Sequence, residues 1–163
     1  MAQVDFFLKL DGIKGESADS KHKGEIEIES FSWGDHNQAD IAGSSGAGGG
    51  AGKVAFQDLH LTTHVNEASP LLMLACATGE HIKSALLTAR KQGGEQQDYY
   101  KVTLTDVLVS SYQSGGSNGA LIPTDQFSLN FAKVEFSYAR QDEKGKLSAP
   151  KIAKYDLKQN KKG

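Results

Sequence analysis

Over most of its length this chain alternates apolar and polar residues one for one, a period that only strands satisfy. "VDFFLKL" puts Val4, Phe6, Leu8 and Leu10 on one face and Asp5, Phe7 and Lys9 on the other. Gly12 and Gly15 then mark a turn. "GEIEIESFSWG" alternates at Ile26 and Ile28, then shifts phase by one residue so that Phe31 and Trp33 continue it. One extra residue in a strand signals a bulge, which bends the strand. A third strand is expected from Lys53 to about Val65. "IKSALLTAR", "DYYKVTLTDVLVSSY" and "DQFSLNFAKVEFSYA" supply three more, the last changing phase between Phe131 and Val134, and "KIAKYDLK" is the seventh.

One segment breaks the period. "NEASPLLMLACATGEH" reads as a short helix, capped by Ser69, with Pro70 in the first turn and Gly79 at its exit. It is nearly all apolar, so it must be covered, either at a barrel end or on a sheet. Seven strands and one helix with frequent turns describe a mainly β chain, an antiparallel β-barrel or sandwich with one short side helix. At 163 residues we read one domain spanning 1–163, and no internal repeat is visible.

The glycine-rich run "GSSGAGGGAGKV" imitates a phosphate loop. That motif needs glycine where Ala47 stands and a hydroxyl where Val54 stands. Gly46, Gly48 and Ala51 fit the dinucleotide pattern better, but that pattern must open a helix, and "KVAFQDLHLTTHV" reads as a strand. The run is expected to be a flexible loop.

Other constellations also fall short of chemistry. His60 and His64 have zinc-like spacing, yet in a strand four residues span roughly 13 Å, too far for one metal. Cys76 lies in the apolar helix without an orienting partner, so pairing with His81 as nucleophile and base is disfavoured. Glu25, Glu27 and Glu29 line one strand face opposite Ile26 and Ile28, and read as a solvated face or a charged interface. Trp33, Tyr99, Tyr100 and Tyr112 suit either core packing or a ligand cavity. No catalytic, metal-binding or cofactor-binding set is expected.

Eighteen Lys and Arg against 20 Asp and Glu give a formal charge of -2, which argues against nonspecific nucleic-acid binding. Lys151, Lys154, Lys158, Lys161 and Lys162 crowd the C-terminal end, either as a solvated tail or as a basic patch. The lone cysteine excludes an intrachain disulfide and suits a reducing compartment. "MAQVDFFLKLDG" lacks a basic start and a long apolar run, so export, if it occurs, is not expected through the general secretory route, and no membrane insertion is expected.

Several stretches in order carry a wider likeness: "FFLKLDGIKGES", "EIEIESFSWG", "GGGAGKVAFQDLHLT", "SPLLMLACATGEHIKSALLTARKQGGE", "VTLTDVLVSSYQSGGSNG" and "FSLNFAKVEFSY". Across essentially its whole length the chain resembles the haemolysin-coregulated protein (Hcp) family, tube subunits of the bacterial type VI secretion system. The resemblance implies a compact β-barrel with a side helix, assembled as a hexameric ring. It implies rings stacked inside a sheath and exported beneath a VgrG-type spike after assembly in the bacterial cytoplasm. It also implies small effector proteins in the lumen and no enzymatic activity. Within that picture, the loop residues Gly43, Ser44, Ser45, Gly46, Gly48, Gly49, Gly50 and Gly52 are expected to stack rings, and Ser117 to face the lumen. Glu25, Glu27, Glu29, His60 and His64 are expected at ring contacts. The competing reading is a small-ligand-binding β-barrel. Calorimetry with ATP or GTP and magnesium is expected to show no heat of binding, and micromolar affinity for either restores the nucleotide reading.

Overall fold

The computed structural model describes residues 3–37, 54–91 and 97–163. The chain runs β1 (Val4–Leu10), β2 (Ile26–Ile28), β3 (Ser30–Ser32), β4 (Asp35–Asn37), β5 (Val54–Phe56), β6 (Leu59–His64), α1 (Ser69–Thr78), β7 (His81–Lys91), β8 (Asp98–Gly115), β9 (Thr124–Tyr138), β10 (Lys151–Asp156) and β11 (Lys161–Lys162). The expected seven strands are present, two of them subdivided, and two short strands that were not expected, β4 and β11, are added. The Ile26–Trp33 strand breaks at Glu29, and the Lys53–Val65 strand breaks between Phe56 and Leu59. The second break separates two sheets: β5 pairs only with β4, whereas β6 joins the main sheet.

The main sheet is antiparallel throughout, in the order β11-β10-β9-β8-β7-β1-β2, with β6 and β3 branching from β9. Strand β9 is long enough to serve two neighbours on one edge. Its first half pairs with β6, from Thr124↔His64 to Leu129↔Leu59, and its second half with β10, from Lys133↔Asp156 to Tyr138↔Lys151. Its other edge is held by β8 from Gly115↔Thr124 to Tyr100↔Tyr138.

Glu29 stands where the sequence shifts phase. Before it Ile28 pairs with Phe6, after it Ser30 pairs with Thr62, and its own N–H donates to the Thr62 carbonyl at 2.8 Å. The sheet therefore wraps until its β2 end and its β6–β3 branch meet on residues 26–32. No ladder joins β2 to β6 among the described residues, so the expected barrel is not a closed ring of paired strands. A second phase change falls at Asp106, whose φ of 55° is left-handed. Val102 and Leu104 point inward before it, Val107 and Val109 after it. Phe131 and Val134 bracket the matching change on β9. Both strands thus bend together, and the core of Leu8, Ile26, Leu61, Leu87, Leu104, Phe127 and Leu129 fills the concave side.

The helix departs from its expected capping. Ala68 takes the N-cap position without a side-chain bond, and the Ser69 hydroxyl instead donates to the buried Asp125 carboxylate. Gly79 ends the helix as expected, left-handed at φ 68° with its N–H on the Ala75 carbonyl. Leu72 and Ala75 are buried as α1 packs on β8, but Leu71, Met73 and Leu74 remain about half exposed, so only one stripe of the apolar helix is covered.

The 11–25 connection is held to the sheet by charge. The Arg90 guanidinium, 2% exposed, donates to both Asp19 oxygens at 2.8 and 2.6 Å and approaches Asp5 at 3.6 Å. It lies 4.9 Å from the Phe7 ring centroid, and His22 stacks on the same ring at 4.3 Å. Phe7, on the polar side of β1 by alternation, is thus buried beneath this connection. Gly15 is obligatory there, because a Cβ would sit 2.7 Å from the Glu25 carbonyl oxygen.

Above all through its hydrogen bond, Arg90 holds the Asp19 carboxyl well below the usual carboxylate range. The stability this adds is complete above the ordinary value of 3.8 and is lost as pH falls below it. Replacing Arg90 by Lys, which cannot make the bidentate fork, should cost about 2–3 kcal/mol. Thermal melts should show the gap between the parent and Asp19→Asn widest at neutral pH and closing below about pH 4. A pH-independent gap contradicts the assignment.

Candidate functional site

Where β3, β6, β9 and β8 lie side by side, alternation sorts their residues into rows. Phe31, Leu61, Phe127 and Tyr112 form one row and turn inward. The rows on either side take the other face: Ser30, Thr62, Gln126 and Gln113 in one, Ser32, His60, Ser128 and Ser111 in the other, with Ser128 itself buried. A register shift between Val109 and Ser111 brings Ser110 to the same face as Ser111. Ser128 meets both hydroxyls, at 2.7 and 2.5 Å. Asp58 accepts from Ser110 at 2.6 Å and from Asn130 at 2.9 Å. The result is a sheet face of hydroxyls and amides with hardly any charge.

This face was legible in the sequence only as half of each alternation. Ser30, Ser32, Thr62, Gln113 and Gln126 are each an ordinary solvent-side residue in the alternation of their own strands. Pairing four strands in register gathers them. Ser117 continues the face: it lies exposed in the 116–123 turn and lines a concavity of about 290 Å³ with Gln113 and Gln126.

The other expected residues are dispersed. Glu25 does not share a solvent face with Glu27, because its carboxylate turns to His22 Nδ1 at 3.0 Å while His22 Nε2 meets Asp98 at 3.1 Å. Glu27 is exposed, and Glu29 pairs with His64 across the junction of β2, β3 and β6. His60 belongs to the polar face. Residues Gly43 to Gly52 lie outside the described residues. Val54, two residues past Gly52, enters a strand, so no helix N-terminus follows the glycine run for a phosphate.

The aromatics pack rather than open a cavity. Trp33 Nε1 donates to the Tyr100 hydroxyl at 2.8 Å, and both rings meet Phe136. Burial pushes the Tyr100 hydroxyl's pKa up. Tyr112 donates to Asp125 at 2.9 Å, and burial, followed by that bond, raises its pKa as well. Cys76 is half-buried, and no hydrogen bond joins it to His81 among the described residues. Among those residues no cluster of three or more His, Cys, Asp or Glu is placed to hold a metal, and no helix is long and apolar enough to cross a membrane.

A groove of about 1010 Å³ opens beside the start of β1. Asp5, Glu16, Asp19, Glu27 and Glu29 line it, with Arg90 and His64 as its basic groups.

Comparison with known proteins gives a consistent answer. The sequence model of one family, described as "Type VI secretion system effector, Hcp", matches residues 7–138. Protein hcp1 of Pseudomonas aeruginosa is 43% identical over 159 residues, covering 96% of this chain and 97% of that protein. A solved structure of a type six secretion system protein superposes with a TM-score of 0.92 at 31% identity, covering 99% of this chain and 100% of the other. Hcp1 of Salmonella typhimurium superposes at 0.80 with 36% identity and complete coverage of both chains.

Asp125 is fully buried and receives both the Ser69 and the Tyr112 hydroxyls, tying α1 to the β8–β9 hairpin. Asp125→Ala strands two donors and should cost about 2–4 kcal/mol. Hydrogen exchange should accelerate across 69–78 more than in β7. Uniform acceleration contradicts a local tie.

Proposed function

We propose that this chain, which belongs to the Hcp family of type VI secretion proteins, is a structural tube subunit that closes into six-membered rings and carries small effector proteins through their lumen. The observation that carries this reading is the polar face of β3, β6, β9 and β8, in which hydroxyls and amides far outnumber charged groups. A wall that accepts varied cargo must stay hydrated and must not grip. Large apolar patches would bind unfolded chains without discrimination, and a strong charge of one sign would exclude half of all partners. Short hydroxyl and amide side chains do neither.

Repeated copies placing this face toward a common axis form the lumen, with Ser117 at its rim. Rings stack into a tube within a sheath, and the tube leaves the bacterial cytoplasm beneath a VgrG-type spike. The loop containing Gly43 and Gly52 reaches toward a neighbouring ring. Its closure entropy changes slowly with length, by about 0.6 kcal/mol per doubling, so shortening it spares the fold. The chain works by assembly, without cofactor or catalysis.

Light scattering on a sizing column should return six times the chain mass, and a monomer at all concentrations overturns the reading. Gln126→Trp and Ser117→Trp should keep the ring mass while lowering recovery of a co-expressed effector by about tenfold. Unchanged recovery in both variants removes this face from the lumen.

A further inference from the structure

The acidic groove and the lysine-rich C-terminal end are complementary surfaces that a single copy cannot bring together. Register places them at opposite ends of the sheet. The groove opens where β1 starts and β7 finishes, at Val4↔Lys91. At the far end of β10, Asp156 lies opposite Lys133, Lys133 opposite Thr105, and Thr105 opposite Ser84, whose carbonyl receives the Asp11 N–H just past the finish of β1. The turn that follows Asp156 therefore stands level with the end of β1, and the groove level with its beginning.

That turn is an ordered cationic projection. Asp156 Oδ1 accepts the N–H groups of Lys158 and Gln159 at 3.0 and 3.1 Å, and β11 folds back on β10 through Asp156↔Lys161 and Tyr155↔Lys162. The Lys158 side chain is 71% exposed and reaches Asp106 only at 3.6 Å. Lys161 and Lys162 are exposed beside it.

The groove offers what such a projection needs. It carries five carboxylates against one guanidinium and one imidazole. Arg90 is held by Asp19 on two of its nitrogens, and Glu27 makes no ion pair among the described residues. Val4, Val65 and Ile122 also line it and remain 37, 37 and 49% exposed, giving aliphatic surface for lysine stems.

We propose that the 157–162 turn of one copy docks in the acidic groove of a second copy, as the head-to-tail contact by which rings stack. The contact is heterologous and joins opposite ends of one sheet, so it propagates along the strands instead of closing on itself. It places Glu27 and Glu29 between rings rather than within them. The proposal rests on the ring reading but is tested separately from it.

A zero-length carbodiimide joins a carboxylate to an amine it touches. Rings made from ¹⁵N-labelled and unlabelled protein are mixed, treated and mapped by mass spectrometry. Links of mixed isotope between Lys158, Lys161 or Lys162 and Glu16, Glu27 or Glu29 are expected, fading as salt rises. Lys158→Glu/Lys161→Glu/Lys162→Glu and, separately, Glu16→Lys/Glu27→Lys should each keep the parent's ring mass while losing ring-on-ring species in sedimentation by about tenfold or more. Mixing the two variants restores opposite charges at every contact, and should restore these species. Intact rings without mixed-isotope links, or variants that stack like the parent, overturn the proposal and leave the ring reading standing. A monomeric parent overturns the ring reading, and the same links then decide whether single copies meet end to end.

Discussion

Strand β9 is the element on which the rest of the structure depends. Along one edge it is bonded to β8, and along the other it is shared between β6 and β10. Antiparallel pairing supplies a partner for nearly every backbone group of those strands, so the sheet is specified wherever β9 is specified. A one-residue slip of β9 would turn Phe127, Leu129 and Phe131 outward and Gln126, Ser128 and Asn130 inward. Core and polar face are two sides of one register.

Bending makes that sheet into a container for its own core. Asp106 and Glu29 each interrupt alternation by one residue, and at each the chain changes the side it presents. At Glu29 it also changes partner, from β1 to β6. Without these breaks a strand the length of β8 would run on past the core, exposing one apolar half. With them, both halves of β8 and β9 line the same interior.

Charge does its work outside the core, in two distinct ways. Arg90 is buried, bidentate and stacked on Phe7, and fastens the 11–25 connection. The lysines after Asp156 and the carboxylates beside β1 are largely solvent-exposed and stand at opposite ends of the sheet, so they contribute little within one copy. Fixed pairs shape the subunit.

The β-rich class, an apolar helix between Ser69 and Gly79, seven of the strands and the phase change between Ile28 and Phe31 were readable from the residues alone, because each depends on neighbours one to four positions apart. The failure of the glycine run as a phosphate loop was readable for the same reason: Val54 continues in strand alternation. Tertiary structure alone decided that Ser69 serves Asp125 rather than the helix end, since the two are 56 residues apart. It likewise decided that Glu25 faces His22, and that Ser30, Thr62, Gln113 and Gln126 form one surface. Local periodicity says which side of a strand a residue occupies. Only pairing between distant strands says whose side chains stand next to it.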